Sequence, residues 1–371
     1  MTAVDAPRLD ALTGIRFVAA IAVFNAHVAV PVSAPTIVHT VALAGHNWMT
    51  MFFVLSGLIL AWNYDELLGD RLTGSGLRTY FVARLARIYP LYLVALAVVV
   101  LLQLASTGAV GGDLLVHIFA LQSWSGDLQV AYGYNAPGWS IGVEFFLYAL
   151  FPLLLVAFRG VRHNRRALLL IAVGAVVVAA AITLALSLAG LAELPRTDAA
   201  SAHRWIYRTP LTRLPDFVLG IALGLLLKTT LGDQRERAGR VLQLIGGLAT
   251  VTLMVATPIV ESVWSLDVAN LVPFALLFVG LAWSPQTLLA RVLSTRPAVF
   301  LGEASFAFYL LHATVVAVVG QPTGGISSWL YTWVVAFALT LFVAAGAHVL
   351  VERPARSAIR RWLDPSRPTM Q

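Results

Sequence analysis

Long runs of apolar residues, separated by short polar or basic stretches, extend along the whole chain. A bilayer core about 30 Å thick requires about 20 mostly apolar residues per spanning helix. Ten segments have this character: 13–32, 46–64, 86–105, 139–158, 167–190, 213–229, 240–257, 264–283, 302–320 and 328–350. The pattern predicts an all-α polytopic membrane protein with about ten transmembrane helices in one bundle.

Composition supports the same prediction. The chain has 371 residues, of which 59% are hydrophobic and 12% are charged, whereas about a quarter of the residues in a typical soluble domain are charged. We predict one integral-membrane domain over residues 1–351 and a basic cytoplasmic tail over residues 352–371, which begins ERPARSAIRRW. Because the chain contains no cysteine, thiolate metal sites are excluded. We predict neither a metal site nor a permanently bound cofactor.

The distribution of charge predicts the orientation in the membrane. When the N-terminus is placed in the cytoplasm, that side holds all but four of the 25 lysines and arginines. The four on the opposite side are Arg196, Arg204, Arg208 and Arg213. This asymmetry follows the positive-inside rule, so we predict a cell-membrane protein with both termini in the cytoplasm. The net charge of +7 reflects this topology, and no nucleic-acid partner is expected.

Two long connections, residues 106–138 and 191–212, lie on the predicted outer side. Both contain Gly, Pro, Trp and Tyr rather than runs of charge. Such loops suit the binding of a substrate outside the cytoplasm, although aromatic residues also collect at membrane interfaces without binding anything. The apolar stretch 114–124 is too short to span a bilayer, so we expect it to be re-entrant or interfacial.

An imidazole lies near the end of the first apolar run, FVAAIAVFNAH. His27 follows Arg16 by eleven residues, which corresponds to about 16 Å along a helix axis. Titratable groups at membrane depth are candidate functional sites because they are costly there without a partner or water. A neutral imidazole can act as a general base. The alternative is a helix-packing histidine that is hydrogen-bonded to a neighbouring backbone.

A carboxylate lies near the start of the fourth span, in WSIGVEFFLYALFP. The preceding residues NAPG predict an outer turn, Trp139 an interface anchor, and Glu144 a position about one and a half turns deeper. The predicted topology places Glu144 and His27 in the same half of the bilayer. A carboxylate beside an imidazole could orient its tautomer and stabilise the imidazolium. Alternatively, Glu144 forms a structural ion pair or is a protonated, hydrogen-bonded carboxylic acid.

Three arginines mark the cytoplasmic ends of two spans. Arg84 and Arg87, in FVARLARIYP, lie one helical turn apart, and Arg16 lies at the corresponding end of the first span. The guanidinium group suits phosphate because it offers a planar fork of N–H donors. The alternative is that all three only follow the positive-inside rule.

A polar stripe runs along the ninth span, in FLGEASFAFYLLHATVV. Ser305, Tyr309 and His312 recur at positions i, i+4 and i+7, so they share one face of a helix. Either interhelical hydrogen bonding or catalysis would account for polar groups at this depth. Asp216, in RLPDFVLG, is expected to pair with Arg213 and to be structural.

Six motifs in order along the chain resemble the membrane-bound acyltransferase-3 family of bacterial and eukaryotic proteins. The first is LTGIRFVAAIAVFNAH, which is similar to LDGLRGIAALLVVLYH and places Arg16 and His27 on the arginine and histidine of that family. The others are MFFVLSGLIL, FVARLARIYPLY, WSIGVEFFLYALFP, LGEASFAFYLLH and VERP. Thr13 and Phe17 depart from the usual pattern. This variant is similar to actinobacterial members, which include acyltransferases of macrolide antibiotics.

The resemblance implies a membrane O-acyltransferase that moves an acyl group, usually acetyl, from cytoplasmic acyl-CoA to a hydroxyl of a sugar, glycan or macrolide-like small molecule. Arg16, Arg84 and Arg87 would then bind the phosphates of CoA. His27 would act as the general base, and Glu144 would orient its ring. The residues expected to stabilise the oxyanion or position the acceptor are Trp139, Ser140, Tyr309 and His312.

Two alternatives remain open. The acyl group could pass through a covalent acyl-histidine rather than directly to the acceptor. A bundle with buried His and Glu could also be a proton-coupled transporter or flippase. Transporters often contain repeats with paired broken helices, and no obvious repeat is found in this sequence.

Overall fold

The computed structural model describes residues 9–230, 235–256 and 262–363, which are helical and contain no β-strand. Fifteen α-helices form within these ranges. In chain order they are α1 (Asp10–Asn25), α2 (Thr36–Leu43), α3 (Trp48–Tyr64), α4 (Gly74–Thr107), α5 (Leu114–Ile118), α6 (Leu128–Tyr132), α7 (Trp139–Phe158), α8 (Arg165–Leu188), α9 (Leu214–Thr230), α10 (Glu236–Ala256), α11 (Val268–Trp283), α12 (Leu288–Leu293), α13 (Arg296–Val319), α14 (Ile326–Ala347) and α15 (Arg353–Leu363).

Nine helical stretches of the described residues are long and apolar enough to cross a membrane. They are residues 48–69, 74–107, 136–158, 165–188, 210–230, 236–256, 263–283, 296–319 and 326–359. The all-α polytopic fold predicted from the sequence is therefore confirmed. The remaining predicted segment forms α1, a helix of 16 residues. Ala19, Ala20 and Phe24 of α1 are fully buried, so this helix lies inside the bundle.

The first helix ends earlier than the hydrophobic pattern predicts. We expected a span to residue 32, but α1 ends at Asn25, and residues 26–28 form a turn. Pro31 has no backbone N–H and disfavours a helical conformation at Val30, so the helix cannot continue through this sequence. His27 consequently lies in the turn just beyond the helix end rather than within the helix.

Close approaches at glycines bring the central helices together. An added Cβ on Gly57 of α3 would lie 2.2 Å from the carbonyl oxygen of Phe217 in α9. A Cβ on Gly302 of α13 would lie 2.0 Å from the carbonyl oxygen of Thr13 in α1. Small residues permit such backbone contacts between membrane helices. The second contact aligns the helices that carry Arg16 and Tyr309.

A buried ion cluster joins α3, α9 and α11. Arg213 Nη1 lies 3.0 Å from Asp216 Oδ2 and 2.6 Å from Asp267 Oδ1, and it also donates to Thr50 Oγ1 at 3.0 Å. All four residues are buried. The predicted pairing of Asp216 with Arg213 is therefore confirmed. The sequence did not identify Asp267 as the second carboxylate of the cluster.

The two long connections pack against each other. Residues 114–124 form a short helix, Leu114–Ile118, and a 3-10 turn, Gln122–Trp124, neither of which is long enough to span a bilayer. Arg208 donates to Ser125 O at 2.6 Å and to Gly126 O at 3.2 Å. These hydrogen bonds fix one connection on the other, so the two form a single layer at one end of the bundle.

The tail predicted from residue 352 begins with α15, which packs against α4. Glu352 anchors its start, because His348 Nδ1 donates to Glu352 Oε2 at 2.8 Å and Arg356 lies 3.4 Å from Glu352 Oε1. Residues 364–371 lie outside the described residues. The proposed domain boundary and the cytoplasmic location of the tail stay predictions.

Candidate active site

A cavity of about 360 Å³ lies where the first half of α1 meets α3, α4, α7 and α13. We call it the arginine cavity. Four arginines line it: Arg16, Arg84, Arg87 and Arg356. The acidic residues of its lining are Asp10, Glu144 and Glu303. The structure thus brings together the three arginines that the sequence singled out.

The arginines of this cavity differ in how they are held. Arg84 Nη2 donates to the Tyr64 hydroxyl at 2.9 Å, and its guanidinium lies 5.0 Å from the centre of the Tyr64 ring. Neither Arg16 nor Arg87 forms a hydrogen bond or an ion pair within 4.0 Å to any described residue. Of the four arginines, Arg84 is held by Tyr64 and Arg356 by Glu352, whereas the N–H donors of Arg16 and Arg87 are left for a ligand.

Glu144 belongs to the arginine cavity. Ser140, Glu144 and Tyr148 recur every four residues on α7 and so share one face of that helix. The charges of Arg16 and Arg87 act on the Glu144 carboxylate. No hydrogen bond or ion pair joins Glu144 to His27 in the part of the chain that the structure describes. The predicted pairing of Glu144 with His27 is therefore not found.

A second cavity, of about 340 Å³, lies at the other end of the bundle, beneath the two packed connections. We call it the histidine cavity. Its ring-bearing lining residues are His27, Tyr132, Trp139, His203, Tyr207 and Tyr309. Arg196 is the one charged residue of the lining among the described residues. Three of these residues, Tyr132, His203 and Tyr207, come from the loops whose composition suggested substrate binding.

Aromatic rings form an extended surface in the histidine cavity. The ring centres of Trp139 and Tyr207 are 4.9 Å apart, and His203 stacks on Tyr207 at 5.1 Å. Burial raises the pKa of Tyr132 to about 12 and that of Tyr207 well above its usual value. Both phenols therefore remain protonated at neutral pH and can donate a hydrogen bond. Such rings combine a flat apolar face with a polar tip.

The tautomer of His27 follows from its hydrogen bond. His27 Nδ1 lies 2.9 Å from the carbonyl oxygen of Val23. A carbonyl oxygen can only accept, so Nδ1 carries the proton and Nε2 carries the lone pair. A lone pair on Nε2 is what a general base requires. The sequence predicted that Glu144 orients the His27 ring, but in the structure the backbone carbonyl of Val23 in α1 forms the hydrogen bond that orients it.

Gln321 holds the backbone of the His27 turn. Its Nε2 donates to His27 O at 3.0 Å, and its Oε1 accepts from Ala29 N at 2.9 Å. Both ends of the amide are therefore used to fix a turn that lies beyond the last helical hydrogen bond of α1. No motif in the sequence pointed to this residue, which lies 294 positions from His27 in a loop.

His312 lies beside His27. The two imidazole ring centres are 4.6 Å apart, at an interplanar angle of 81°. His312 is fully buried, and its Nδ1 donates to Tyr309 O at 2.5 Å. Its Nε2 is buried without a hydrogen-bond partner among the described residues. The structure therefore brings together two histidines that the sequence identified separately.

A small chamber of about 20 Å³ lies between the two cavities, because its lining overlaps with the lining of each. It shares Arg16 and Glu144 with the arginine cavity, and Met49 and Tyr309 with the histidine cavity. Ser140 also lines this chamber. We call it the connecting chamber.

The hydroxyl groups of Ser140 and Tyr309 are both engaged in hydrogen bonds within the protein. Both donate to Pro137 O, each at 3.1 Å. Asn135 Nδ2 also donates to Leu310 O at 3.0 Å. The hydrogen bonds from Tyr309 and to Leu310 thus hold the predicted NAPG turn against α13. Either hydroxyl would have to release Pro137 O in order to stabilise an oxyanion.

The fold and the site define a multi-pass membrane protein in which an arginine-lined cavity and an imidazole-bearing cavity lie on either side of a small buried chamber. Residues 9–349 match the acyltransferase domain of acyltransferase family 3. The chain belongs to this family and is therefore an acyltransferase.

Two relatives illustrate the similarity. Acyltransferase MdmB of Streptomyces mycarofaciens is 30% identical over 378 positions, which cover 95% of this chain and 93% of the relative. A Staphylococcus aureus (strain COL) protein predicted to be an O-acetyltransferase is 25% identical over 329 positions. That alignment covers 82% of this chain and 52% of the relative, so the chain matches about half of the longer protein. No solved structure matches the chain.

Proposed function

We propose that the protein transfers an acyl group, acetyl in the first instance, from cytoplasmic acyl-CoA to a hydroxyl of a sugar, glycan or macrolide-like acceptor in the cell membrane. The observation that carries this proposal is the arrangement of the three cavities, in which the connecting chamber shares lining residues with both the arginine cavity and the histidine cavity. A donor with several phosphates and an acceptor with a hydroxyl could enter from opposite ends of the bundle and meet at the connecting chamber.

The lining of the arginine cavity supports acyl-CoA as the donor. Arg16 and Arg87 offer guanidinium N–H groups that no described side chain uses, and Arg84 adds a third positive charge that Tyr64 holds in place. Charge-assisted hydrogen bonds from Arg to phosphate are short and strong. The pantetheine arm is uncharged and flexible, so it can extend from this cavity toward the chamber while the phosphates remain with the arginines.

The lining of the histidine cavity supports a hydroxyl-bearing acceptor. In the proposed step, the acceptor oxygen forms a bond to the thioester carbonyl carbon while its proton passes to His27 Nε2. The C–S bond then breaks, and the proton moves from His27 to the departing CoA thiolate. Trp139 and Tyr309 position the acceptor. His312 lies next to the imidazolium that forms, and the lone pair on its Nε2 can stabilise that cation.

Glu144 takes a different role from the one that the sequence indicated. It lies among Arg16, Arg87 and Tyr148, and it also lines the connecting chamber. We assign it to the donor side, where a negative charge can offset the repulsion between Arg16 and Arg87 without a direct ion pair. The oxyanion role proposed for Ser140 requires its hydroxyl to release Pro137 O as the donor binds.

A product assay tests the proposal. Purified protein in lipid nanodiscs is mixed with acetyl-CoA and a panel of candidate alcohols, and the products are analysed by mass spectrometry. We expect CoA release that depends on an acceptor and a product heavier by one acetyl group. Movement of an acceptor across sealed vesicles without acyl-CoA, together with no acetylated product, would instead support a proton-coupled transporter or flippase.

A second measurement separates direct transfer from the acyl-histidine route. The protein is incubated with acetyl-CoA in the absence of any acceptor, and its peptides are searched for an acetyl group on His27. Direct transfer predicts an unmodified His27. An adduct that forms and then disappears when acceptor is added would establish the covalent route.

A further inference from the structure

The connecting chamber has room for a small chemical group only. Its volume is about 20 Å³, compared with about 360 Å³ and 340 Å³ for the cavities on either side. One water molecule needs a cavity of about 10–15 Å³ on the same measure. The space therefore accommodates about one or two water-sized groups, which is comparable to the carbonyl oxygen and methyl group of an acetyl unit.

The two sides of the chamber differ in polarity. Met49, Phe52, Phe53, Ile141 and Phe306 provide an apolar wall. The remaining lining residues are polar or charged: Arg16, Ser140, Glu144, Ser305 and Tyr309. An acyl group has the same division, because its carbonyl oxygen is polar and its alkyl chain is not.

The apolar wall is part of the buried core. Phe53 is 0% exposed, Ile141 1%, Met49 3% and Phe306 8%. The Phe53 ring is also packed against Trp139, with ring centres 6.3 Å apart, and lies beneath the Arg213 guanidinium at 5.4 Å. Protein interiors are close-packed, and added methylene groups are accommodated only with strain. The apolar wall therefore limits the size of a chemical group that fits in the chamber.

From the proposed function, on which this inference rests, we propose that the connecting chamber holds the acyl group of the donor and that Met49, Ile141 and Phe306 restrict it to two or three carbons. The thioester sulfur arrives from the arginine cavity and the acceptor oxygen from the histidine cavity. The carbonyl carbon must bond to each in turn, so it lies where the cavities meet. Its third substituent, the alkyl chain, then has only the chamber to occupy.

The experiment compares donors of increasing length. Acetyl-, propionyl-, butyryl- and hexanoyl-CoA are supplied to the wild-type protein with an alcohol that it acetylates, and kcat/KM is measured for each. We expect acetyl- and propionyl-CoA to be used and hexanoyl-CoA to react roughly 100-fold more slowly, which corresponds to about 2.7 kcal/mol, because its additional methylene groups overpack the chamber. Phe306→Ala and Ile141→Ala should each improve the hexanoyl-to-acetyl ratio by about 10-fold.

A matched control lies on the same helix. Phe308 is a buried phenylalanine two residues beyond Phe306, but it contacts Phe17, Phe24 and Phe337 instead of the chamber. Phe308→Ala should lower stability and leave the preference among donors unchanged. Met49→Ala provides an additional chamber variant if Phe306→Ala does not fold.

The outcomes separate the two proposals. Equal use of hexanoyl- and acetyl-CoA by the wild type would overturn the chain-length inference and leave the acyltransferase function intact. An unchanged preference in folded Ile141→Ala, Met49→Ala and Phe306→Ala proteins would do the same. Absence of transfer from every acyl-CoA to every alcohol in the panel would instead remove the proposed function, and this inference with it.

Discussion

The two large cavities have similar volumes, about 360 Å³ and 340 Å³, but opposite chemistry. Four arginines and three carboxylates line the arginine cavity. The histidine cavity is lined mainly by aromatic and imidazole rings, and Arg196 is its one charged side chain among the described residues. The difference supports the proposal that two ligands of different character bind, a polyanion at one end of the bundle and an uncharged or weakly charged molecule at the other.

The two cavities are also expected to have different functions. In the proposed function, the arginine cavity supplies charge for binding the donor, whereas the histidine cavity supplies the proton acceptor for the reaction. Substitutions at the first should therefore change the Michaelis constant for the donor, and substitutions at the second should change turnover. This division is the basis of the predictions that follow.

The largest effect is expected at His27. His27→Ala removes the imidazole that accepts the acceptor proton, and general-base catalysis typically contributes about 10²- to 10⁴-fold. Turnover should fall by that factor while the KM for acyl-CoA changes little. His39→Ala is a suitable control, because His39 lies in α2 near the same end of the bundle and lines neither large cavity. Wild-type turnover in a folded His27→Ala protein would refute the assignment.

Arg87→Ala and Arg84→Ala should mainly raise the KM for acyl-CoA. A hydrogen bond to a charged group contributes about 1.5–3 kcal/mol, so an increase of roughly 10- to 100-fold is expected. Arg78→Ala serves as the control, since Arg78 is an exposed arginine on the same helix outside the cavity. The KM for the acceptor should not move. If only the acceptor constant rose, the donor would not bind at the arginines.

Glu144→Gln distinguishes the structural assignment from the one based on sequence. If the charge of Glu144 offsets the repulsion between Arg16 and Arg87 on the donor side, the variant should lose about 10-fold in kcat/KM for acyl-CoA, which corresponds to about 1.4 kcal/mol. The pH dependence of turnover should then match that of the wild type, because His27 is oriented by Val23 O. A shifted pH profile of kcat with an unchanged donor constant would show that Glu144 acts on the imidazole after all.

Gln321→Ala is expected to give the smallest effect. It removes two hydrogen bonds from the His27 turn, and each contributes about 0.5–1.5 kcal/mol at most sites. Because these bonds are exposed, we expect turnover to fall about 3- to 10-fold with no change in the KM for acyl-CoA. Gln321→Glu retains an acceptor for Ala29 N but replaces the donor to His27 O with a carboxylate oxygen, which repels that carbonyl oxygen. We therefore predict that Gln321→Glu loses at least as much turnover as Gln321→Ala. Full activity in both variants would show that Gln321 is not needed to hold the His27 turn.

The hydrophobic pattern was sufficient to predict most of the helical architecture. Runs of about 20 apolar residues have few alternatives to a spanning helix, and nine of the ten segments correspond to such helices within the described residues. The clustering of Arg16, Arg84 and Arg87 was also predictable, because all three lie at the same end of their helices. Pro31 excluded a helix through residue 32, a local signal that the hydropathy of the segment masks, but the end of α1 at Asn25 could not be predicted from it.

Two features could not be predicted from the sequence: how deep each cavity extends between the helices, and which residues far apart in the chain are in contact. Trp139 and Glu144 are five residues apart on α7, yet they line different large cavities. How far a cavity penetrates between helices depends on packing, which the pattern of one helix does not contain. Gln321 was missed for a related reason, since a polar residue in a loop is common and only its contacts with His27 and Ala29 distinguish it.

The central claim is that donor and acceptor enter from opposite sides of the membrane and meet at the connecting chamber. The absence of native cysteine allows a direct measurement with single-cysteine variants, Ser56→Cys in the arginine cavity and Leu128→Cys in the histidine cavity. Both are treated with a membrane-impermeant thiol reagent in oriented vesicles, with and without CoA. We predict that Ser56→Cys is labelled only from the cytoplasmic side and is protected by CoA, whereas Leu128→Cys is labelled only from the outside and is not protected. Labelling of both variants from one side, or protection of Leu128→Cys alone by CoA, would contradict the account.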